Sequence, residues 1–225
     1  MVAWHEYPTP QATGQGLAGA VAPLLSAAVA RNGRAVLAVP GGTTPGPFLA
    51  ALSGHDLPWD RITLMPTDER FVAPDDEQSN ERMIRASMPV LASGLAGWVS
   101  FHVQGETLEA AAAALDARLG GLPPLDIVVS GMGADAHVAS LFPGDPALGA
   151  SVSRHVVPAR PPGLPPRLSL SPERLVEAGR VFLLVGGAAK RDALERATGR
   201  APSEAPVSLL LGRPGPVDIY WSATA

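Results

Sequence analysis

Five short apolar runs are spaced along the chain: AVLAV (35–39), ITLMP (62–66), LDIVVS (125–130), VFLLV (181–185) and VDIYW (217–221). A strand with one wet face alternates polar and apolar residues, whereas runs with so little alternation need cover on both faces. Helical stretches separate them. QGLAGAVAPLLSAAVAR and LEAAAAALDARL are strong helix formers, PFLAALS and residues 80–87 are shorter ones, and SPERLVEAG carries Ser171 as N-cap with Pro172 at the first helical position. WVSFHV (98–103) and RLSLS (167–171) add two further extended elements. This order predicts an α/β fold that is doubly wound, with a mainly parallel sheet and helices on both faces. The Pro-rich PARPPGLPPR (158–167) is short and runs into a strand, so it reads as a stiff internal loop, and residues 1–225 are expected to form a single α/β domain.

Several classes of function are disfavoured by composition. A chain of 225 residues buries a core without covalent staples, and with no cysteine it has neither a disulfide framework nor a zinc-thiolate site. The net charge of -4, with no Lys/Arg-rich block, argues against nucleic acid as a partner. Glycine or proline interrupts the apolar stretches short of a membrane span, and the N-terminus lacks a basic segment followed by an apolar one. The expected location is the cytoplasm, with no membrane partner. Oligomeric state is not legible.

Ligands of open α/β sheets bind beyond the carboxyl ends of the strands. After AVLAV comes PGGTTPG, where Gly41 and Gly42 admit a ligand close to the backbone, Thr43 and Thr44 offer hydroxyls, and a helix N-terminus follows. After ITLMP comes Thr67-Asp68-Glu69-Arg70. Asp68 is suited to orienting a base or binding sugar hydroxyls and Arg70 to holding phosphate, while Glu69 reads as part of a solvated charge run. Ser79-Asn80 reads as a helix cap as much as a ligand contact. After LDIVVS comes GMGADAHVASLFPG (131–144), where His137 lies two residues from Asp135 on a glycine-rich strand end. GMGADA also fits the dinucleotide pattern G-x-G-x-x-G/A, but the ribose-binding acid expected about 20 residues on is missing. His102 is the second candidate histidine. After VFLLV comes GGAAK, which places the chain's only lysine, Lys190, in the first turn of a helix, where the dipole disfavours a cation unless an anion joins it. Arg167 opens its own strand as another anion contact. These groups suit a phosphorylated small molecule undergoing acid-base chemistry.

PGGTTP, TDERFVAPDDEQSN, GMGADAHVASLFPG, PPRLSLS and GGAAK, in that order over roughly positions 40 to 190, resemble the 6-phosphogluconolactonases, with the glucosamine-6-phosphate deaminases/isomerases as a related branch. The deaminase pattern resembles GxDGHIAFNEPG, with a glutamate before the proline where this chain has Phe142, and MDEY, with a tyrosine where it has Arg70. Both differences favour the lactonase. There is one departure: Ala136 stands where the family pattern has glycine between the aspartate and the histidine. If that position needs a positive φ, alanine costs about 1 kcal/mol or more.

The resemblance implies a sugar-phosphate-hydrolase-like α/β domain that hydrolyses 6-phospho-D-glucono-1,5-lactone to 6-phospho-D-gluconate in the oxidative branch of the pentose phosphate pathway. It implies no metal and no cofactor. His137 would be the base, with Asp135 or Asp68 orienting its ring. Gly41, Gly42, Thr43, Thr44, Arg70, Arg167 and Lys190 would bind the phosphate and the sugar. Ser140 is a poor nucleophile because no G-x-S-x-G elbow surrounds it. The alternatives are a deaminase/isomerase-like enzyme and a non-catalytic sugar-phosphate sensor.

Overall fold

A computed structural model of the protein describes residues 2–103, 107–149 and 154–224. In chain order the elements are β1 (Val2–Tyr7), α1 (Pro10–Asn32), β2 (Ala35–Val39), α2 (Gly46–Ser53), β3 (Ile62–Pro66), β4 (Asp68–Arg70), α3 (Asn80–Ser87), α4 (Pro89–Ala92) and β5 (Gly97–Trp98). They continue with α5 (Leu108–Gly120), β6 (Ile127–Gly131), β7 (Val156–Ala159), β8 (Arg167–Leu170), α6 (Pro172–Val176), β9 (Arg180–Gly186), α7 (Ala188–Ala197), α8 (Val207–Leu211) and β10 (Val217–Ser222).

Seven strands form one sheet in the order β1-β10-β9-β6-β2-β3-β5, every neighbouring pair parallel. The apolar runs divide between its two faces with the period of two that a strand imposes. Val36, Ala38, Val181, Leu183 and Val185 pack with residues of α5 to α8. Ala35, Leu37, Val39, Phe182 and Leu184 pack with residues of α1 to α4 on the other side. The predicted doubly wound class follows from this two-sided burial.

Three features differ from expectation. RLSLS does not join the parallel sheet: β8 pairs antiparallel with β4 and β7 in a separate three-stranded sheet, and the Pro-rich segment connects β7 to β8. Of WVSFHV only Trp98 lies in a strand, as the second residue of β5, which pairs with β3. An edge strand, β1, precedes α1, and because it is largely exposed no apolar run announces it.

Helix α1 runs 23 residues, capped by the Thr9 side chain at its start and by Gly33, at φ 74, at its end. Contrary to the expectation of short interrupted stretches, it is long and apolar enough to cross a membrane by length and composition. Here Leu17, Ala18, Val21, Leu25 and Ala28 are buried against the sheet, as in a core helix. Pro23 does not break it; this residue lies on the exposed side, where water can satisfy the freed carbonyl.

Candidate active site

Strand β2 is followed outward by β3 and β5, while β6, its other neighbour, is followed by β9 and β10 in the opposite direction. The chain therefore switches direction between β2 and β6, the point at which the loops beyond the strands part to leave a crevice. The four strands around the switch, β9, β6, β2 and β3, lead into the four loops singled out above. A cavity of about 260 Å³ lies between those loops. It is lined by Gly41, Gly42, Thr43, Thr44, Asp68, Arg70, His137, Arg167 and Lys190, all nominated from the sequence. Asp135 reaches it only through His137. Larger hollows of about 630 Å³ and 820 Å³ lie elsewhere, but neither is lined by a histidine, so volume is a poor guide to the chemistry here.

His137 is held from several directions. Its Nδ1 lies 2.6 Å from Asp135 Oδ1, and the same oxygen accepts its backbone N–H at 3.2 Å. A carboxylate at Nδ1 selects the tautomer protonated there and leaves Nε2 as the basic nitrogen. The imidazole packs against Phe142 at a tilt of 32°, ring centroids 4.4 Å apart. Gly133 closes the turn, with its N–H bound to the His137 carbonyl at 3.0 Å. A Cβ there would fall 2.2 Å from the imidazole, so only glycine leaves room for the ring. Ala136 does adopt the left-handed conformation, at φ 67, a strain of about 1–2 kcal/mol for a residue with a Cβ. Its N–H bonds the Gly133 carbonyl at 3.0 Å and its carbonyl accepts from Val207 N at 2.9 Å, and these bonds hold the turn.

The two candidate acids separate clearly. Asp68 is buried and forms no hydrogen bond or ion pair with the imidazole. Its Oδ2 accepts from Ser140 Oγ at 2.5 Å and lies 3.8 Å from Arg167 Nη1, and its Oδ1 accepts from Thr67 Oγ1 at 3.2 Å. It thus ties the histidine loop to the small sheet. Ser140, fully buried, is committed to that bond.

Arg70 and Arg167 stand directly opposite each other in the β4–β8 register. Like charges so placed oppose sheet formation. Burial pulls the Arg167 guanidinium below its ordinary pKa, and Arg70 adds to this against the pull of Asp68. The buried Nε of Arg167 has no hydrogen-bond partner among the described residues. Lys190, in the first turn of α7, forms no ion pair among them either. Three cations against one buried acid, beside the start of α2 and the start of α7, make a wall suited to an anion. Among the described residues no group of three histidine or acidic side chains is placed to hold a metal ion.

Two sequence expectations are overturned. Glu69 is not part of a solvated run: it is 3% exposed and accepts from three backbone N–H groups and the Ser79 hydroxyl. Alternation in β4 turns it inward, away from the cleft. Burial raises its pKa, against the lowering effect of those donors. His102 lies outside the cavity, with Nδ1 3.1 Å from the Val72 carbonyl. Asn80, read only as a cap or contact, lines the cavity, while Ser79 is the cap of α3.

The sequence matches the glucosamine-6-phosphate isomerases/6-phosphogluconolactonase family over residues 8–221. It is 37% identical to a 6-phosphogluconolactonase of Mesorhizobium japonicum, covering 97% of this chain and 94% of the relative. It is also 37% identical to one of Pseudomonas putida, over 96% and 91%. Among solved structures, a 6-phosphogluconolactonase from Shewanella baltica superposes with a TM-score of 0.93 at 30% identity, covering 99% of this chain and 98% of that one. A monomeric glucosamine-6-phosphate deaminase shares the fold, with a TM-score of 0.80 at 19% identity over 98% of both chains. The chain belongs to the glucosamine-6-phosphate isomerase/6-phosphogluconolactonase family.

Proposed function

We propose that this protein hydrolyses 6-phospho-D-glucono-1,5-lactone to 6-phospho-D-gluconate, the lactone-opening step of the oxidative pentose phosphate pathway, in the cytoplasm. The observation that carries this reading within the site is the His137–Asp135 pair facing a cleft walled by Arg70, Arg167 and Lys190. Relatives bearing the lactonase name align over nearly the whole chain.

In this mechanism, Nε2 of neutral His137 takes a proton from water as the water oxygen bonds to C1 of the lactone. Asp135 holds the ring and balances the imidazolium that forms. The negative charge on the former carbonyl oxygen is met by backbone N–H groups of the glycine turns. Collapse re-forms the carbonyl and breaks the bond from C1 to the ring oxygen, which takes the proton back from His137. The new carboxylic acid then ionises. The cationic wall and the Gly41–Thr44 loop grip the phosphate and fix the ring for attack.

The deaminase reading lacks its acid, because Phe142 occupies that place and packs against the imidazole, with the Arg167 guanidinium over its ring, 5.6 Å from the ring centre. The sensor reading drew on Ala136, whose strain leaves the His137–Asp135 contact at 2.6 Å.

The test is lactone generated in situ, with 6-phosphogluconate formation followed against spontaneous opening. Wild type should accelerate it, and His137→Ala or His137→Asn should lower kcat by about 10²-fold or more. A folded wild type that gives no acceleration would refute the assignment, and a retained kcat in the variants would remove His137 from the role of base.

A further inference from the structure

We infer that Glu69 is a positioning residue for substrate binding, acting through the Asn80 carboxamide on Arg70. The inference rests on the lactonase reading and extends it to a residue that touches no substrate.

Glu69 lies between two cleft residues, Asp68 and Arg70, but points the other way. Both its oxygens are fully used. Oε1 accepts from Arg70 N at 2.7 Å and Asn80 N at 2.8 Å, and Oε2 accepts from Glu81 N at 2.7 Å and Ser79 Oγ at 3.1 Å. A buried carboxylate is unfavourable unless donors surround it, and here the opening N–H groups of α3 supply that favourable field. The helix does not need Glu69 as its cap, because Ser79 Oγ already accepts from Arg82 N at 3.2 Å. What Glu69 adds is a bolt between the first turn of α3 and strand β4.

That bolt determines where Asn80 points. The Asn80 Nδ2 donates to the Asp68 carbonyl at 2.8 Å, and its Oδ1 accepts from Arg70 Nη1, which also donates to the Gln78 carbonyl at 3.2 Å. From the far side, Gly41 closes on the carboxamide so tightly that a Cβ would overlap it, at 2.0 Å from Oδ1. One side chain thus links the β2 loop, β4 and α3. Arg70 faces Arg167 across the register, and with the Asn80 oxygen displaced the Gln78 carbonyl would be left to hold it against that repulsion. Glu69, by fixing the Asn80 backbone, keeps the side-chain oxygen in place and the guanidinium ready for an anionic substrate.

The experiment is a double-mutant cycle read in KM and kcat. Glu69→Gln keeps the shape but turns a donor toward donors, and Asn80→Ala removes the carboxamide alone. Each should raise KM about tenfold, as expected for loss of one charge-assisted contact, with kcat within about twofold. If Glu69 acts through Asn80, the double variant should be no worse than either single one, whereas Glu69→Gln with Lys190→Ala should multiply. A purely structural role would lower the yield of folded enzyme without such coupling. Multiplication in the Glu69→Gln/Asn80→Ala pair, or an unmoved KM in Glu69→Gln, overturns the inference. Should Glu69→Gln fail to fold, Ser79→Ala, which removes one of the four donors, replaces it, and an unmoved KM there or in Asn80→Ala overturns the inference equally. A wild type without lactonase activity sinks the functional reading and this inference together, whereas an active wild type with unmoved variants sinks only the inference.

Discussion

Alkaline unfolding offers a test of how the core handles a buried ionisable ring. Tyr220, on β10, is 4% exposed and packs with His5, Tyr7 and Phe182, ring centroids 4.5, 6.0 and 5.9 Å away. Burial, chiefly, with Tyr7 and Asp218 adding to it, pushes its hydroxyl up to about 12 from an ordinary value of 10. The unfolded chain therefore loses this proton first as pH rises, and between pH 10 and 12 the folded state binds more protons than the unfolded one. Stability must fall across that window. Two pH units at about 1.4 kcal/mol each amount to about 3 kcal/mol, a large part of a typical total of 5–15 kcal/mol. The chain has one other tyrosine, one lysine and no cysteine, and comparison with Tyr220→Phe removes whatever other groups contribute, the buried arginines included. Urea denaturation at successive pH values should show the midpoint falling by about 1 M between pH 10 and 12 in wild type, for a slope of 2–3 kcal/mol per M. Tyr220→Phe should flatten most of that fall. In the folded wild type, tyrosinate absorbance should show a late transition that Tyr220→Phe lacks. A fall of equal size in Tyr220→Phe, or Tyr220 ionising near pH 10 in folded protein, would refute the reasoning.

Four further outcomes follow from the site. Asp135→Asn should lower kcat about tenfold, less than loss of the base, because this carboxylate is half exposed and its hold on the ring is screened; steady-state rates at fixed pH decide it. Lys190→Ala should raise KM about tenfold with kcat preserved, since a phosphate grip remote from C1 stabilises ground and transition states alike; an unchanged KM would return Lys190 to an ordinary surface role. Ala136→Gly should change unfolding free energy by less than about 1 kcal/mol, because relief of about 1–2 kcal/mol of left-handed strain is offset by a lost buried methyl (about 0.8) and added chain entropy (about 0.4–1). Ala136→Val, a β-branched residue at the same φ, should lose about 2 kcal/mol or more in the same urea titration.

How much of this was legible in the chain itself depends on the range of the interactions. The parallel sheet, its covering helices and the loops that carry chemistry follow from local patterns, because an unalternating apolar run demands cover on both faces and a glycine-rich turn after it exposes backbone to a ligand. Hence Gly41 to Thr44, Asp68, Arg70, His137, Arg167 and Lys190 could be named before any of them was known to share a cleft. The strands that local pattern does not announce, β1, β4 and β7, owe their state to partners far along the chain: β1 to β10, and β4 and β7 to β8. The same holds for the finer points of the site. Asp68 and Asp135 are equivalent as letters; what separates them is that one folds back onto Nδ1 of His137 two residues away, while the other is drawn to Ser140, 72 residues on. Glu69 sits in a string of charges and reads as solvated, yet its burial is decided by the first turn of α3 docking on β4 and bringing three donors to it, beside the N–H of Arg70 on its own strand. Charge patterning records what a residue is. Whether water or protein surrounds it is settled by contacts between distant segments, and those exist only once the chain has folded.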